Sequence, residues 1–194
     1  MKLTSRFMFL LLFWGLLAAS CYPYVKNPAL TQWPTYVPPA PYQVSFAGIQ
    51  PPPPGTCSVH AVDLIGAWVG ANVPEKEPFN FTDTNGKQCQ GTFDVDVLPL
   101  FTQANLWYTG ALSCRTCHGP DVEVSYARMD LSSYQGILAG MGRDSAEATG
   151  EDILGGNNWQ QSDLYDVLSN GEMPPEQPAG LNPNGPLINV TPAQ

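Results

Sequence analysis

Cys114-Arg115-Thr116-Cys117-His118 is the stretch on which the reading of this 194-residue chain turns. The spacing C-x-x-C-H is the pattern by which haem is attached covalently to protein. The two thiols add to the haem vinyl groups, and the histidine beside the second thioether becomes the proximal iron ligand. Cys114 and Cys117 are therefore the candidate haem attachment points and His118 the candidate iron ligand, with one covalent haem c as the expected cofactor. In a cytosolic protein the same C-x-x-C points instead to a redox dithiol or a zinc site, so the compartment decides between readings.

The N-terminus indicates export. Lys2 and Arg6 form a short positive region, Phe7 to Leu17 an apolar run broken only by Gly15, and Ala18-Ala19-Ser20 lead into Cys21. Spanning a bilayer takes about 20 apolar residues, and the 13 from Phe7 to Ala19 are too few. Residues 1–20 are read as a signal peptide. Leu17-Ala18-Ala19-Ser20-Cys21 resembles the bacterial lipobox, with the leucine one place further from the cysteine than usual, which would make Cys21 a lipidated first residue. Ala18 and Ser20 also meet the small-x-small requirement of an ordinary signal peptidase, so both processing routes stand.

The remaining cysteines, Cys57 and Cys89, are 32 positions apart and form a candidate disulfide in an oxidising compartment, with two free buried thiols as the alternative. Between them and Cys21, residues 22–55 hold 10 of the 20 prolines and almost no charge. Such a segment lies extended at about 3.1 Å per residue and serves as a tether, or, with its interleaved tyrosines and Trp33, as a strap along a partner. Removing Lys2 and Arg6 with the signal takes the formal charge from −9 to −11. That surface disfavours nucleic acid and suits a basic protein partner, or serves solubility alone.

Residues 56–93 show short apolar pieces, an Asn85-Gly86 turn and little periodicity, which suggests a small irregular or β-containing subdomain. It contains His60, the only histidine besides His118 and an alternative iron ligand. From Asp94 to Gly110 a helix is expected to lead into the haem motif, with Asp94 or Asp96 as cap, Pro99 in its first turns, and Val97, Leu100, Phe101 and Ala104 on one face. Ser132 and Gln135 make a capping box for a second helix through Tyr134, Ile137, Leu138 and Met141. Ser162 caps a third, with Leu164, Tyr165 and Leu168 on one side and Asn170-Gly171 at its end.

That third helix delivers the chain to Glu172-Met173-Pro174-Pro175. A residue before proline is held out of the α region, so the Met173 thioether projects from a stiff loop and is the candidate distal iron ligand. Met141, on the apolar stripe, and Met129, with no proline after it, are weaker candidates. Histidine and methionine together fill both axial positions, favour reduced haem and leave no site for substrate, which points to electron transfer with no catalytic residues.

Cys114 to Gly119, Asp130 to Tyr134, Ser162 to Tyr165 and Met173-Pro174-Pro175, in that order, resemble the class I monohaem cytochromes c over about residues 94–178. The resemblance implies a mostly α haem domain with one haem edge exposed, Cys114 and Cys117 holding the haem, His118 proximal and Met173 distal. Members of that family usually finish with a C-terminal helix covering part of the haem pocket. Residues 179–194 are instead rich in Pro, Gly and Asn and are read as an extended tail, so either the 57–91 segment or another protein covers that face.

The lipid signal, the strap and the single haem motif are similar to the monohaem subunit of bacterial alternative complex III. That similarity implies a lipid-anchored subunit on the periplasmic face of the cell membrane, in a respiratory or photosynthetic quinol-oxidising assembly. Its partners would be multihaem and iron-sulfur subunits and a small periplasmic electron acceptor. A free-standing lipoprotein carrier, a haem enzyme and a thiol or binding lipoprotein without haem are the other readings.

Overall fold

The computed structural model describes residues 55–156 and 158–191. The signal segment, Cys21 and the proline-rich stretch to Pro54 lie outside them. No helix among the described residues is long and apolar enough to cross a membrane.

Strand β1 (Cys57–His60) runs directly into helix α1 (Ala61–Gly70), whose residues Ala61, Val62, Leu64, Ile65, Trp68 and Val69 are buried. Strands β2 (Phe79–Thr82) and β3 (Gln88–Gly91) form an antiparallel hairpin, Phe79 opposite Gly91 and Thr82 opposite Gln88. Phe79, Phe81 and Cys89 point into the core while Asn80, Thr82, Gln88 and Gln90 face out, the period-two alternation of a half-buried ribbon. Its turn is closed by Asp83, whose Oδ1 accepts the Asn85 and Lys87 amides, each at 2.8 Å.

A π-helical turn at Phe93–Val97 leads into α2 (Leu98–Thr102). A 3₁₀ turn at Cys114–Thr116 follows, then α3 (Tyr134–Ala139) and α4 (Asp163–Ser169). The chain returns as β4 (Leu187–Val190), antiparallel to β1 with Cys57 opposite Val190 and His60 opposite Leu187. A disulfide joins Cys57 to Cys89, so β1 is tied to β4 by hydrogen bonds and to β3 by a covalent bridge.

The mostly α expectation, with its class I cytochrome-like helical domain, is overturned. Among the described residues the four α-helices have ten, five, six and seven residues, and two two-stranded sheets share the same unit. The cause is local chemistry. The chain carries 18 glycines and 20 prolines, and the helix expected from Asp94 to Gly110 stops at Thr102, where Gln103 turns extended. The Leu100 carbonyl, which would accept from Ala104 in a longer helix, instead accepts the Trp107 indole N–H at 2.8 Å. Burying that indole satisfies both polar groups without another helical turn.

The second helix starts one residue later than expected. Asp130 binds the Ser132 amide (2.8 Å) and hydroxyl (2.6 Å), so Ser133 becomes the cap and accepts the Gly136 amide at 3.0 Å. The third matches its cap and its stop: Ser162 Oγ accepts the Tyr165 amide at 3.1 Å, and Gly171 beyond the end has φ of +73°.

One core unites residues from Cys57 to Val190. At its centre Trp68 of α1 lies 5.0 Å from the Phe93 ring, and Phe93 lies 5.2 Å edge-on from Tyr134 at the start of α3. The other flank of α1 meets the Trp159–Ser162 turn so closely that a Cβ on Gly66 would stand 2.4 Å from the Trp159 ring. Helix α1 therefore packs against the π-turn, α3 and the Trp159 region together.

Candidate haem-binding site

The Cys114–Thr116 turn is built by short-range hydrogen bonds. The Cys117 and His118 amides both donate to the Cys114 carbonyl, at 3.2 and 2.9 Å, and the Ser113 and Thr116 hydroxyls pair at 2.9 Å. This places Cys114, Cys117 and His118 on one compact turn. Neither thiol is in a disulfide. Cys114 is tucked beneath α2, with its thiol 3.8 Å from the Leu100 carbonyl, and Cys117 is exposed. Burial, and secondarily the neighbouring Cys117, push the Cys114 thiol up to about 11.

His118 is buried at 6% exposure. Its Nδ1 stands 2.9 Å from the Tyr126 carbonyl. A carbonyl can only accept, so the proton sits on Nδ1 and the lone pair on Nε2 is free for a metal. An iron-binding imidazole needs that tautomer and that orientation. The loop providing the carbonyl is braced on both sides: the Tyr126 amide donates to the Cys117 carbonyl at 2.9 Å, and the Leu131 amide to the His118 carbonyl at 2.8 Å.

Met173 lies on the loop after α4, partly buried and packed against the core. Its amide donates to the Val167 carbonyl at 3.0 Å, and its carbonyl accepts from the Gln177 side chain at 2.7 Å. The Tyr108 hydroxyl donates to the Pro175 carbonyl, tying this loop to the segment that runs into the Cys114–Thr116 turn. The loop is rigid at both ends, which suits a thioether ligand.

The alternative ligands are placed differently. His60 has Nδ1 3.1 Å from the Gly185 carbonyl and Nε2 3.4 Å from the Asn182 side-chain amide, so both ring nitrogens are taken up by the C-terminal segment. Met141 belongs to a backbone bridge with Glu151, and Met129 packs against the core. Cys57 and Asp83 cluster with Cys89, but the two sulfurs are spent in the disulfide.

The residues of the turn fit a covalent haem on two counts: two unpaired thiols at the attachment spacing and a buried imidazole with Nε2 free. The two best-formed cavities are elsewhere, one beside Pro120, Asp130 and Arg143 and one between α2 and β4, and neither is lined by the thiols, His118 or Met173. Sequence reasoning missed Tyr126, whose contribution is a backbone oxygen carrying no side-chain signature, and Tyr108 and Gln177, whose partners are set by the loop path. Arg143 was visible only as one of three cations in an acidic half.

No protein-family model matches the chain, and no curated protein and no solved structure matches it either.

Proposed function

We propose that this protein transfers electrons through one haem c bound covalently to Cys114 and Cys117, with His118 and Met173 as axial ligands. The observation that carries the reading is the hydrogen bond from His118 Nδ1–H to the Tyr126 carbonyl, which aims a free Nε2 from a buried turn that also presents two unpaired thiols. The haem supplies one-electron exchange at its iron. The chain's own residues do the rest. Cys114 and Cys117 fix the group, the Tyr126 carbonyl holds the His118 ring against rotation, and the Leu131 amide holds the His118 backbone. Val167, Gln177 and Tyr108 hold the Met173 loop. The Leu100 carbonyl of α2 lies 3.8 Å from the Cys114 thiol and so backs the turn on one side.

The wider setting belongs to the same proposal. Lipid on Cys21 and the proline-rich segment would hold the domain at the periplasmic face of a bacterial membrane. There its acidic surface would meet a basic redox partner. The assignment to a quinol-oxidising assembly rests on the sequence resemblance alone.

The test is expression with export and haem-attachment machinery, followed by a pyridine haemochrome spectrum and intact mass. The expected result is one haem per chain that survives denaturation and a low-spin six-coordinate spectrum, both lost in Cys114→Ala/Cys117→Ala. A folded, exported protein with no haemochrome signal would end this reading in favour of a thiol site.

A further inference from the structure

A carboxylate oxygen of Asp83 and the sulfurs of Cys57 and Cys89 all lie within 4.8 Å of one another. The three residues are only 8%, 1% and 6% exposed. Cys57 opens β1, Cys89 belongs to β3, and Asp83 closes the turn between β2 and β3. The turn needs one oxygen of Asp83 and no charge: Oδ1 takes both the Asn85 and the Lys87 amide, and an asparagine would close it equally. A buried anion set against two sulfurs is therefore left unexplained, since a disulfide has no proton to donate to it.

Reduction changes what the sulfurs are. A dithiol passes two electrons and two protons to the Cys57–Cys89 bond, is itself oxidised to a disulfide, and leaves a thiol on each residue. The donors stay together without the covalent link. The Thr84 amide donates to the Ser58 carbonyl at 2.9 Å and the Lys87 ammonium to the Gly55 carbonyl at 3.0 Å, both joining the hairpin to the start of β1. Two thiolates on a tetrahedral zinc, at a Zn–S length of about 2.3 Å, stand about 3.8 Å apart. A Cα separation of 6.4 Å accommodates that spacing by rotation of the two side chains.

Asp83 is prepared as a third ligand. The Lys87 amide, opposed by burial and aided by the Asn85 amide, holds its carboxyl below the usual range, so it is an anion at neutral pH. The same amides fix its orientation, as the outer hydrogen bonds of a ligating carboxylate do. Two thiolates and a carboxylate on a divalent ion leave a net negative charge, which the Lys87 ammonium at the Gly55 carbonyl offsets. Two sulfurs with one oxygen suit zinc and not magnesium or calcium.

We propose that this protein carries a redox-gated zinc site, closed as the Cys57–Cys89 disulfide and opened by a dithiol to bind one Zn²⁺ through both cysteines and Asp83. Zinc displaces the two thiol protons to solvent, and water fills the fourth position. The site is separate from the Cys114–His118 turn and holds whether or not haem is attached there.

The test takes the full-length exported protein before and after reduction with dithiothreitol, desalts it without oxygen, adds zinc chloride, desalts again and counts zinc per chain. Reduced wild type should retain one zinc more than reduced Cys57→Ala/Cys89→Ala, and the oxidised protein should show no such excess. Equal zinc in the reduced wild type and the double variant would assign any metal to Cys114 and Cys117 and overturn the proposal. Asp83→Asn keeps the turn and removes the anionic ligand. It should bind zinc on the order of 100-fold more weakly, since losing a ligand costs at least as much as disturbing its outer partners. An affinity equal to wild type in D83N would overturn the three-ligand site, and D83N decides the matter if the double variant does not fold. If reduction unfolds the wild type, zinc should restore its circular dichroism and melting transition, and failure to restore them would equally overturn the proposal.

Discussion

Removing the Cys57–Cys89 bridge tests the division of the cysteines into a structural pair and a haem pair. Replacing both by alanine opens a loop spanning 32 positions. On the loop-entropy relation that loop corresponds to about 3.7 kcal/mol of denatured-state restriction. Alanine avoids leaving an unpaired hydroxyl at sites only 1% and 6% exposed, and the lost sulfurs add roughly 1 kcal/mol of packing. The expected cost is therefore about 4 to 5 kcal/mol, read in urea with a larger m as the unfolded chain expands, and a melting temperature lower by roughly 10 to 15 °C for a unit of this size. On the proposed haem reading, haem content per folded chain should not change, because Cys114 and Cys117 lie on a separate turn. A loss below about 1 kcal/mol would show that the bridge does not restrict the unfolded chain as argued. Loss of haemochrome from protein that remains folded would show that the two cysteine pairs are not independent.

Four further outcomes are expected. Met173→Ala should lower the midpoint potential by on the order of 100 mV and let carbon monoxide bind ferrous haem; an unchanged low-spin spectrum would exclude Met173 as ligand. Burial raises the Asp96 carboxyl above its usual value against the opposing Thr92 hydrogen bonds, so its favourable contribution is complete below the unfolded value and is lost as pH rises through the folded one. Asp96→Asn should accordingly raise the melting temperature at pH 7 relative to its effect at pH 3, and equal effects at both would contradict this sign. Gly66→Ala drives a methyl into the Trp159 ring and should cost roughly 1 to 2 kcal/mol despite alanine's better helix propensity, with a shift in tryptophan emission. Cys21→Ala should release the protein from membranes into the soluble fraction; retention through high-salt washing would mean that lipid is not the anchor.

What could be read from the amino acids was local. Ser162 and the Asn170-Gly171 stop are decided within one helical turn by side chain and backbone, and they stand as expected. The Asn85-Gly86 turn is local in the same way. Expectations went wrong where a side chain outside the helical pattern, or a strand far along the chain, took the group. The lead-in helix was drawn too long because the Trp107 indole captures the Leu100 carbonyl seven residues back, a choice invisible to helical periodicity. The cap moved from Ser132 to Ser133 because Asp130 claimed the former. Strand β4 was hidden among Pro, Gly and Asn, since its partner β1 lies 131 residues away at the Ser58–Asn189 pair. At the candidate site the three motif residues were legible from spacing, whereas the Tyr126 carbonyl that fixes the imidazole belongs to the backbone and would be present whatever residue stood there.

The pairing of β1 with β4 also has a mechanical meaning. A pull along the chain that precedes Gly55 reaches Cys57 two residues later, at the bridge to Cys89. The force then divides between a short antiparallel ladder and a covalent link into the β2–β3 hairpin, so β1 cannot be peeled away from the hairpin while the bridge is intact. Reduction of this one bond would leave a four-residue ladder to carry the whole load.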